Sequence, residues 1–182
     1  MVSFLIFIAL FAPVIAPYDP YDVTQRAAKG LSPSWDHLLG TTITTGQDIF
    51  SMLLYGTRVS LMVGLITGVA IAFLGAILGI IAGYVGGLAD NLIMRTVDVM
   101  LVIPTLPLVI VITNLFGKTY LIIVLIFVLL GWTGLARVVR SLVLVIKNNN
   151  YVRASELAGG SRWHIMTKHI LPGVSHLLIM NT

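Results

Sequence analysis

Residues 59–89 read VSLMVGLITGVAIAFLGAILGIIAGYVGGLA and carry no charged side chain. A helix crosses a bilayer with about 17–25 predominantly apolar residues, so this window is long enough to span one by itself. Three more windows, 1–18, 99–117 and 119–136, also lack Asp, Glu, Lys and Arg. Hydrophobic residues make up 58% of the 182-residue chain and charged ones only 10%, with a mean hydropathy of +1.01. A soluble domain of this length needs polar residues over most of its surface, and this composition cannot supply them. The expected fold is therefore all-α, a polytopic helical membrane protein. Cysteine is absent, which excludes disulfides, Cys-ligated zinc and thiol catalysis.

The first window is the weakest candidate span. VSFLIFIALFAPVIAP is short and interrupted by Pro13 and Pro17, yet no Lys or Arg precedes it as a signal peptide requires. It is expected to be a span whose cytoplasmic beginning is missing or very short. Within the second, Gly75, Gly79, Gly83 and Gly87 recur every four residues, as do Gly64, Gly68, Ala72 and Ala76. Such strips let helices approach closely, so a tightly packed helix is expected. The third contains VIPTLPLV at 102–109. Each of Pro104 and Pro107 removes a backbone hydrogen bond and predicts a kink or local unwinding. A break of this kind borders the pathway in many transporters, and a plain structural bend is the other reading. Arg95 and Asp98, three residues apart, are expected to pair or to anchor this span at the interface.

Orientation follows from the basic residues. Asp19, Asp22, Asp36 and Asp48 balance Arg26, Lys29 and Arg58, whereas Arg137, Arg140, Lys147, Arg153, Arg162 and Lys168 face only Glu156. The positive-inside rule makes the second group cytoplasmic, and the spans at about 59–84, 93–116 and 119–142 then alternate so that 18–57 is an external loop. Inserting six basic residues would cost on the order of 18 kcal/mol, against about 3–6 returned by the run LIIVLIFVLL at 121–130. Residues 143–172 are thus an aqueous or interfacial loop.

That loop contains YVRASELAGGSRWHIMTKHILP, residues 151–172. Residues 151–158 suit a helix, Gly159 and Gly160 supply a backbone that ends one, and Ser161 is a good N-cap for the next. Two short helices at a sharp corner are expected, the second running from Arg162 to Ile170 and stopping at Pro172. A rigid elbow suits docking onto a soluble partner, with Ala154, Ser155 and Gly159 allowing close approach. The other reading is a basic loop resting on anionic lipid, worth about 1 kcal/mol per basic side chain.

The same stretch resembles the cytoplasmic loop of permease subunits from binding-protein-dependent ABC importers, whose pattern is E-A-A, three residues, Gly, nine residues, I-x-L-P. Ala154, Gly159, Leu171 and Pro172 match that spacing, while Arg153, Ser155 and His169 depart from it. HILP is the ending typical of the dipeptide, oligopeptide and nickel class. HLLGTTITTGQDIFSMLLYGTRVSL at 37–61 is similar to the external segment of that class, H-x-L-G-T-D, then G-R-D, then L-L-Y-G-A-R-x-S-L, with Thr42 and Gln47 departing. Residues 83–111 resemble its stretch between the second and third spans. The resemblance covers nearly the whole chain in order.

It implies a single transmembrane permease domain over 1–182, of the ABC importer type I permease kind. The subunit would pair with a second permease subunit, cytoplasmic ABC ATPase subunits, an extracytoplasmic solute-binding protein and membrane lipid, in a bacterial or archaeal plasma (inner) membrane. It would form a pathway for peptides or related small solutes. Coupling to the ATPase is assigned by the resemblance to Tyr151, Ala154, Ser155, Glu156, Gly159, Gly160, Leu171 and Pro172. No cofactor and no nucleic acid is implied, ATP being bound by the partner subunit. Six spans are usual in the family, and GVSHLLIMNT after Pro172 supplies about half a crossing, so a chain truncated before the last spans is expected.

Other chemistry finds little support. The sequence has no Walker A pattern, and Ser34, Ser51 and Ser60 lack a G-x-S-x-G context. His164 and His169 are five apart, not the four that set two ligands on one α-helical face. A helical membrane enzyme or channel with a lipid-binding basic loop is the alternative, but the charge-free windows offer no intramembrane ionisable residue.

Overall fold

The computed structural model describes residues 2–20, 29–117 and 119–175. Its regular structure among those residues is helical, with one isolated antiparallel bridge between Thr41 and Asp48. The chain divides into two units, 1–64 and 65–182.

The first unit holds α1 (Val2–Ile15), the following loop and the opening turns of α2 (Ile49–Val85). At 14 residues, α1 measures about 21 Å, short of the roughly 30 Å hydrocarbon core. Helix α2 starts ten residues before the charge-free window, so residues 49–57 are helical and the loop expected over 18–57 is shorter. The cause is Asp48, whose Oδ2 accepts the Ser51 N–H and the Ser51 hydroxyl, each at 2.8 Å. This is an N-cap that satisfies a free donor of the first turn. Arg58 interrupts the apolar run, but its exposed side chain can reach along the helix to a polar layer.

The same loop gathers around the cap. His37 Nδ1 lies 3.1 Å from the other Asp48 oxygen, and its ring stacks against Tyr18 at 4.9 Å. The Tyr18 N–H donates to Ser51 Oγ at 3.3 Å. Thr42 and Gln47, the two departures from the resembled pattern, meet across the turn: the Gln47 N–H donates to Thr42 Oγ1 at 3.0 Å and the Thr42 N–H to the Gln47 carbonyl at 2.9 Å. A neutral pair thereby holds the turn at the positions where the pattern has Asp and Arg.

In the second unit α2 continues to Val85 and is followed by α3 (Gly87–Val102), α4 (Thr105–Phe116) and α5 (Tyr120–Lys147). Gly75, Gly79 and Gly83 press α2 onto α5. A Cβ on Gly79 would sit 2.7 Å from the Ala136 carbonyl oxygen, and one on Gly83 would sit 2.8 Å from Val143. Gly87 does not extend this strip; with Gly86 it makes the corner between α2 and α3, at φ of 58° and 69°. Gly64, in the first unit, faces open space. Val139 and Val143 are fully buried in the seam, where close van der Waals packing against the glycines holds the two helices together.

Helices α3 and α4 meet at 79°. Proline disfavours the α region for the residue before it, and Ile103 accordingly turns extended, at φ −73° and ψ 120°, ending α3. Only Pro104 breaks the chain. Pro107 is the third residue of α4, in the first turn where a missing N–H costs nothing. The single span expected over 93–116 is thus two helices, each too short to cross alone. By length and composition α2 and α5 can cross a membrane, and the bent pair can form a third crossing.

The span expected over 119–142 runs on to Lys147, so the first three residues of the basic block are helical. Arg137 and Arg140 lie within α5, and each meets a carboxylate on α3. Arg140 grips Asp90 through two contacts of 2.5 Å, and Arg137 pairs with Asp98. Asp98 therefore pairs across helices and not with Arg95. These pairs offset the cost of carrying arginine on an apolar helix. Leu121, Leu125 and Leu129 form an exposed stripe on α5 suited to lipid.

Candidate functional site

Beyond Lys147 the chain makes a compact elbow. Asn149 turns extended and α6 (Asn150–Leu157) begins, ending where Gly159 adopts φ +83°. That left-handed backbone is costly for a residue with a Cβ. Gly160 is needed for space instead: its N–H donates to the Ser155 carbonyl at 2.9 Å, and a Cβ there would meet that oxygen at 2.8 Å. Ser161 then caps α7 (Arg162–Ile165), its hydroxyl accepting the His164 N–H at 3.2 Å.

The second arm does not stop at Pro172. A π-helical stretch, Met166–Ile170, follows α7, and residues 171–175 remain helical. The Leu171 N–H bonds the Met166 carbonyl, five residues back. A widened turn just before a proline relieves the clash between its ring and the carbonyl four residues earlier, so the helix continues. The same widening brings His164 and His169 side by side, ring centroids 5.9 Å apart, with Tyr151 5.9 Å from His169. A five-residue spacing separates two side chains on an α-helix but brings them together on this wider turn. Among the described residues no group of three or more His, Cys, Asp or Glu gathers as a metal site.

One side of the elbow is locked down. Val152, Ile165, Ile170 and Val174 are buried and pack with Val143 and Ile146 of α5 and Ile80 and Tyr84 of α2. Polar contacts reinforce this end: the Tyr84 hydroxyl donates to Glu156 Oε1 at 3.1 Å, and Lys147 Nζ donates to the Tyr84 carbonyl at 2.7 Å. Lys147 also stands 5.3 Å from the centre of the Tyr84 ring, a cation–π distance. Tyr84, Val85, Lys147, Glu156 and Arg162 line a cavity of about 230 Å³.

The other side is bare. Tyr151, Ala154, Gly159 and Pro172 are exposed, and Ser155 and Gly160 are half-buried against one another. Glu156 reaches to Tyr84 with one oxygen, and Leu171 lines an apolar groove with Ile77 and Ile80 of α2. The eight residues singled out by the sequence thus divide, some lying at the exposed corner while Glu156 and Leu171 turn toward α2. Two apolar side chains that sequence reasoning missed lie near the corner: Leu157 is 90% exposed, and Trp163, 73% exposed, lines an apolar groove with Ile77, Ile80 and Ile81 of α2. Large apolar residues on either side of a glycine pair in a basic segment were the available signal. No local signal pointed to Tyr84 or Lys147, which come from other helices.

Comparison with known proteins agrees with this architecture. Residues 75–182 match the family described as binding-protein-dependent transport system inner membrane component. The chain is 42% identical over 185 residues to the dipeptide transport system permease protein DppC of Escherichia coli K12, covering 98% of this chain and 61% of that protein. It is 35% identical over 172 residues to the oligopeptide transport system permease protein OppC of Bacillus subtilis, covering 94% and 56%. With the Bacillus subtilis dipeptide permease DppC the identity is 36% over 179 residues, covering 97% and 55%. The chain therefore spans a little over half the length of the curated relatives it matches. The resemblance carried by the glycine-cornered elbow and by the segment around His37 is confirmed across nearly the whole sequence, and the chain belongs to the family of binding-protein-dependent transport system inner membrane components.

Proposed function

We propose that this chain is part of a permease subunit of an ABC importer for dipeptides, oligopeptides or related small solutes, and that the α6–α7 elbow couples it to a cytoplasmic ATPase. In this account the elbow stands on the cytosolic side and the loop around His37 and Asp48 on the outer side. A second permease subunit completes the pathway, and an extracytoplasmic binding protein delivers the solute. The permease itself performs no covalent chemistry; ATP is bound and hydrolysed by the partner.

The observation that carries the proposal is the two-sidedness of the elbow. Its inner face is buried against α5 and α2, while Leu157 stands exposed beside the Gly159–Gly160 corner and Trp163, on the second arm, is exposed at the rim of the groove it shares with α2. Apolar side chains held out on a rigid corner favour a partner groove that buries them. A lever of this kind moves the helices it is packed on when its partner moves.

The test is copurification of the full-length protein with the ATPase subunits of its own system. Leu157→Asp together with Trp163→Asp is expected to release the ATPase and leave the membrane level of the permease unchanged. Retention of the ATPase by that double variant would contradict the proposed docking face.

A further inference from the structure

We infer that Tyr84 is a positioning residue for energy coupling, the group that fixes the register between the elbow and α2 so that displacement of one carries the other. This inference rests on the coupling reading above and deepens it. Apolar packing holds the elbow against the membrane helices, but such packing is non-directional and resists separation more than sliding. A hydrogen bond has preferred distance and direction and resists sliding. Among the described residues one hydrogen bond joins α6–α7 to α2, and it is the bond from the Tyr84 hydroxyl to Glu156. Its acceptor is a carboxylate, which strengthens it.

Both ends of this contact are anchored. Tyr84 is 6% exposed, and its carbonyl is held by Lys147 at the end of α5. Glu156 is followed by the turn that Gly159 and Gly160 fix. Two residues beyond Tyr84, Gly86 and Gly87 take positive φ and make the corner to α3, and α3 is pinned to α5 by the Asp90–Arg140 pair. A push on α6 therefore reaches the end of α2 through the Tyr84 side chain, and the nearest backbone able to absorb the change of direction is the glycine corner. Without the hydroxyl, α6 can slip over α2 and the push is lost.

These 182 residues contain no cysteine, so introduced cysteines are unique labelling sites once any cysteine elsewhere in the full-length subunit is replaced by serine. Spin labels at Phe73→Cys on α2 and Leu92→Cys on α3, both exposed positions, report the angle across the glycine corner. The experiment uses the full-length permease in its assembled complex in liposomes, with and without Mg-ATP and vanadate. The distance distribution is expected to shift with ATP and vanadate in the unsubstituted background. In Tyr84→Phe the shifted population should fall about tenfold, the weight of one hydrogen bond to a charged acceptor, while ATPase copurification and the membrane level of the complex hold. Glu156→Gln, which keeps an acceptor, should retain the shift, and Glu156→Ala should lose it. A shift in Tyr84→Phe equal to that of the unsubstituted protein, or no shift in either, would overturn the role of Tyr84. Absence of the ATPase from the unsubstituted complex would instead overturn the coupling reading, and this inference with it.

Discussion

The hydroxyl of Tyr84 donates to the carboxylate of Glu156 at 3.1 Å, joining residues 72 positions apart in sequence and tying the end of a long apolar helix to a short amphipathic one. The bond gathers three elements at one point, because Lys147 closes on the Tyr84 carbonyl from the end of α5. The elbow is thus built into the helices it projects from.

The seam between α2 and α5 depends on side chains that are absent. Gly79→Leu is expected to destabilise the protein by about 1–3 kcal/mol, because its Cβ would meet the backbone oxygen of Ala136 at 2.7 Å and backbone yields less readily than a side chain. Gly64→Leu, facing open space, should be close to neutral. Thermal unfolding of the two variants in the same detergent checks the contrast.

Asp90 and Arg140 form a two-contact pair between α3 and α5, with Asp90 mostly buried. Asp90→Asn should cost about 1.5–3 kcal/mol, since the guanidinium keeps its charge and loses its counterpart. The exchange Asp90→Arg with Arg140→Asp should recover part of that loss. Stability of the single and double variants in a double-mutant cycle measures the coupling.

The glycine corner separates two physical demands. Gly159 needs a left-handed backbone, so Gly159→Asn should be tolerated better than Gly159→Val, with a difference of about 1 kcal/mol. Gly160 needs space, so Gly160→Asn should be no better than Gly160→Ala. Proteolysis at the elbow, followed for all four variants, reads the two patterns apart.

The loop around Asp48 should respond to acid. Burial opposes ionisation of this carboxyl, but the Ser51 N–H and hydroxyl and the neighbouring His37 together outweigh it, holding its pKa below the ordinary 3.8. A group whose pKa falls on folding stabilises the fold above its unfolded value, and the contribution disappears as pH drops through the lower folded value. Protection of the Ser51 amide against hydrogen exchange should therefore be constant above pH 3.8 and decline below it. Asp48→Asn should remove that dependence.

Much of this architecture is legible in the sequence because membrane helices are decided by charge and length, and residues 59–89 have the length without the charge. The glycine corner is legible for a similar reason, since Gly159 and Ser161 each answer a local backbone need. What escaped was set by contacts between distant residues. Arg137 and Arg140 count only as charges of the cytoplasmic basic block, at the end of the span expected over 119–142, until Asp98 and Asp90 are seen opposite them. Pro172 looks like a helix stop until the wide turn before it is seen to make room. Pro104 and Pro107 look alike, yet only Pro104 precedes its helix while Pro107 falls in a first turn that tolerates it. Tyr84 carries no sequence signal at all, because its role depends on Glu156.

The most direct measurement is the sidedness of Leu157. In the full-length protein, with any cysteine outside these 182 residues replaced by serine, Leu157→Cys is a unique thiol on this subunit, and a membrane-impermeant maleimide can be applied to intact cells and to inverted membrane vesicles. The account predicts no labelling in intact cells, strong labelling in inverted vesicles stripped of the ATPase, and protection when the ATPase is added back. Labelling from outside intact cells would contradict it, since no ATP-hydrolysing partner could then reach the elbow.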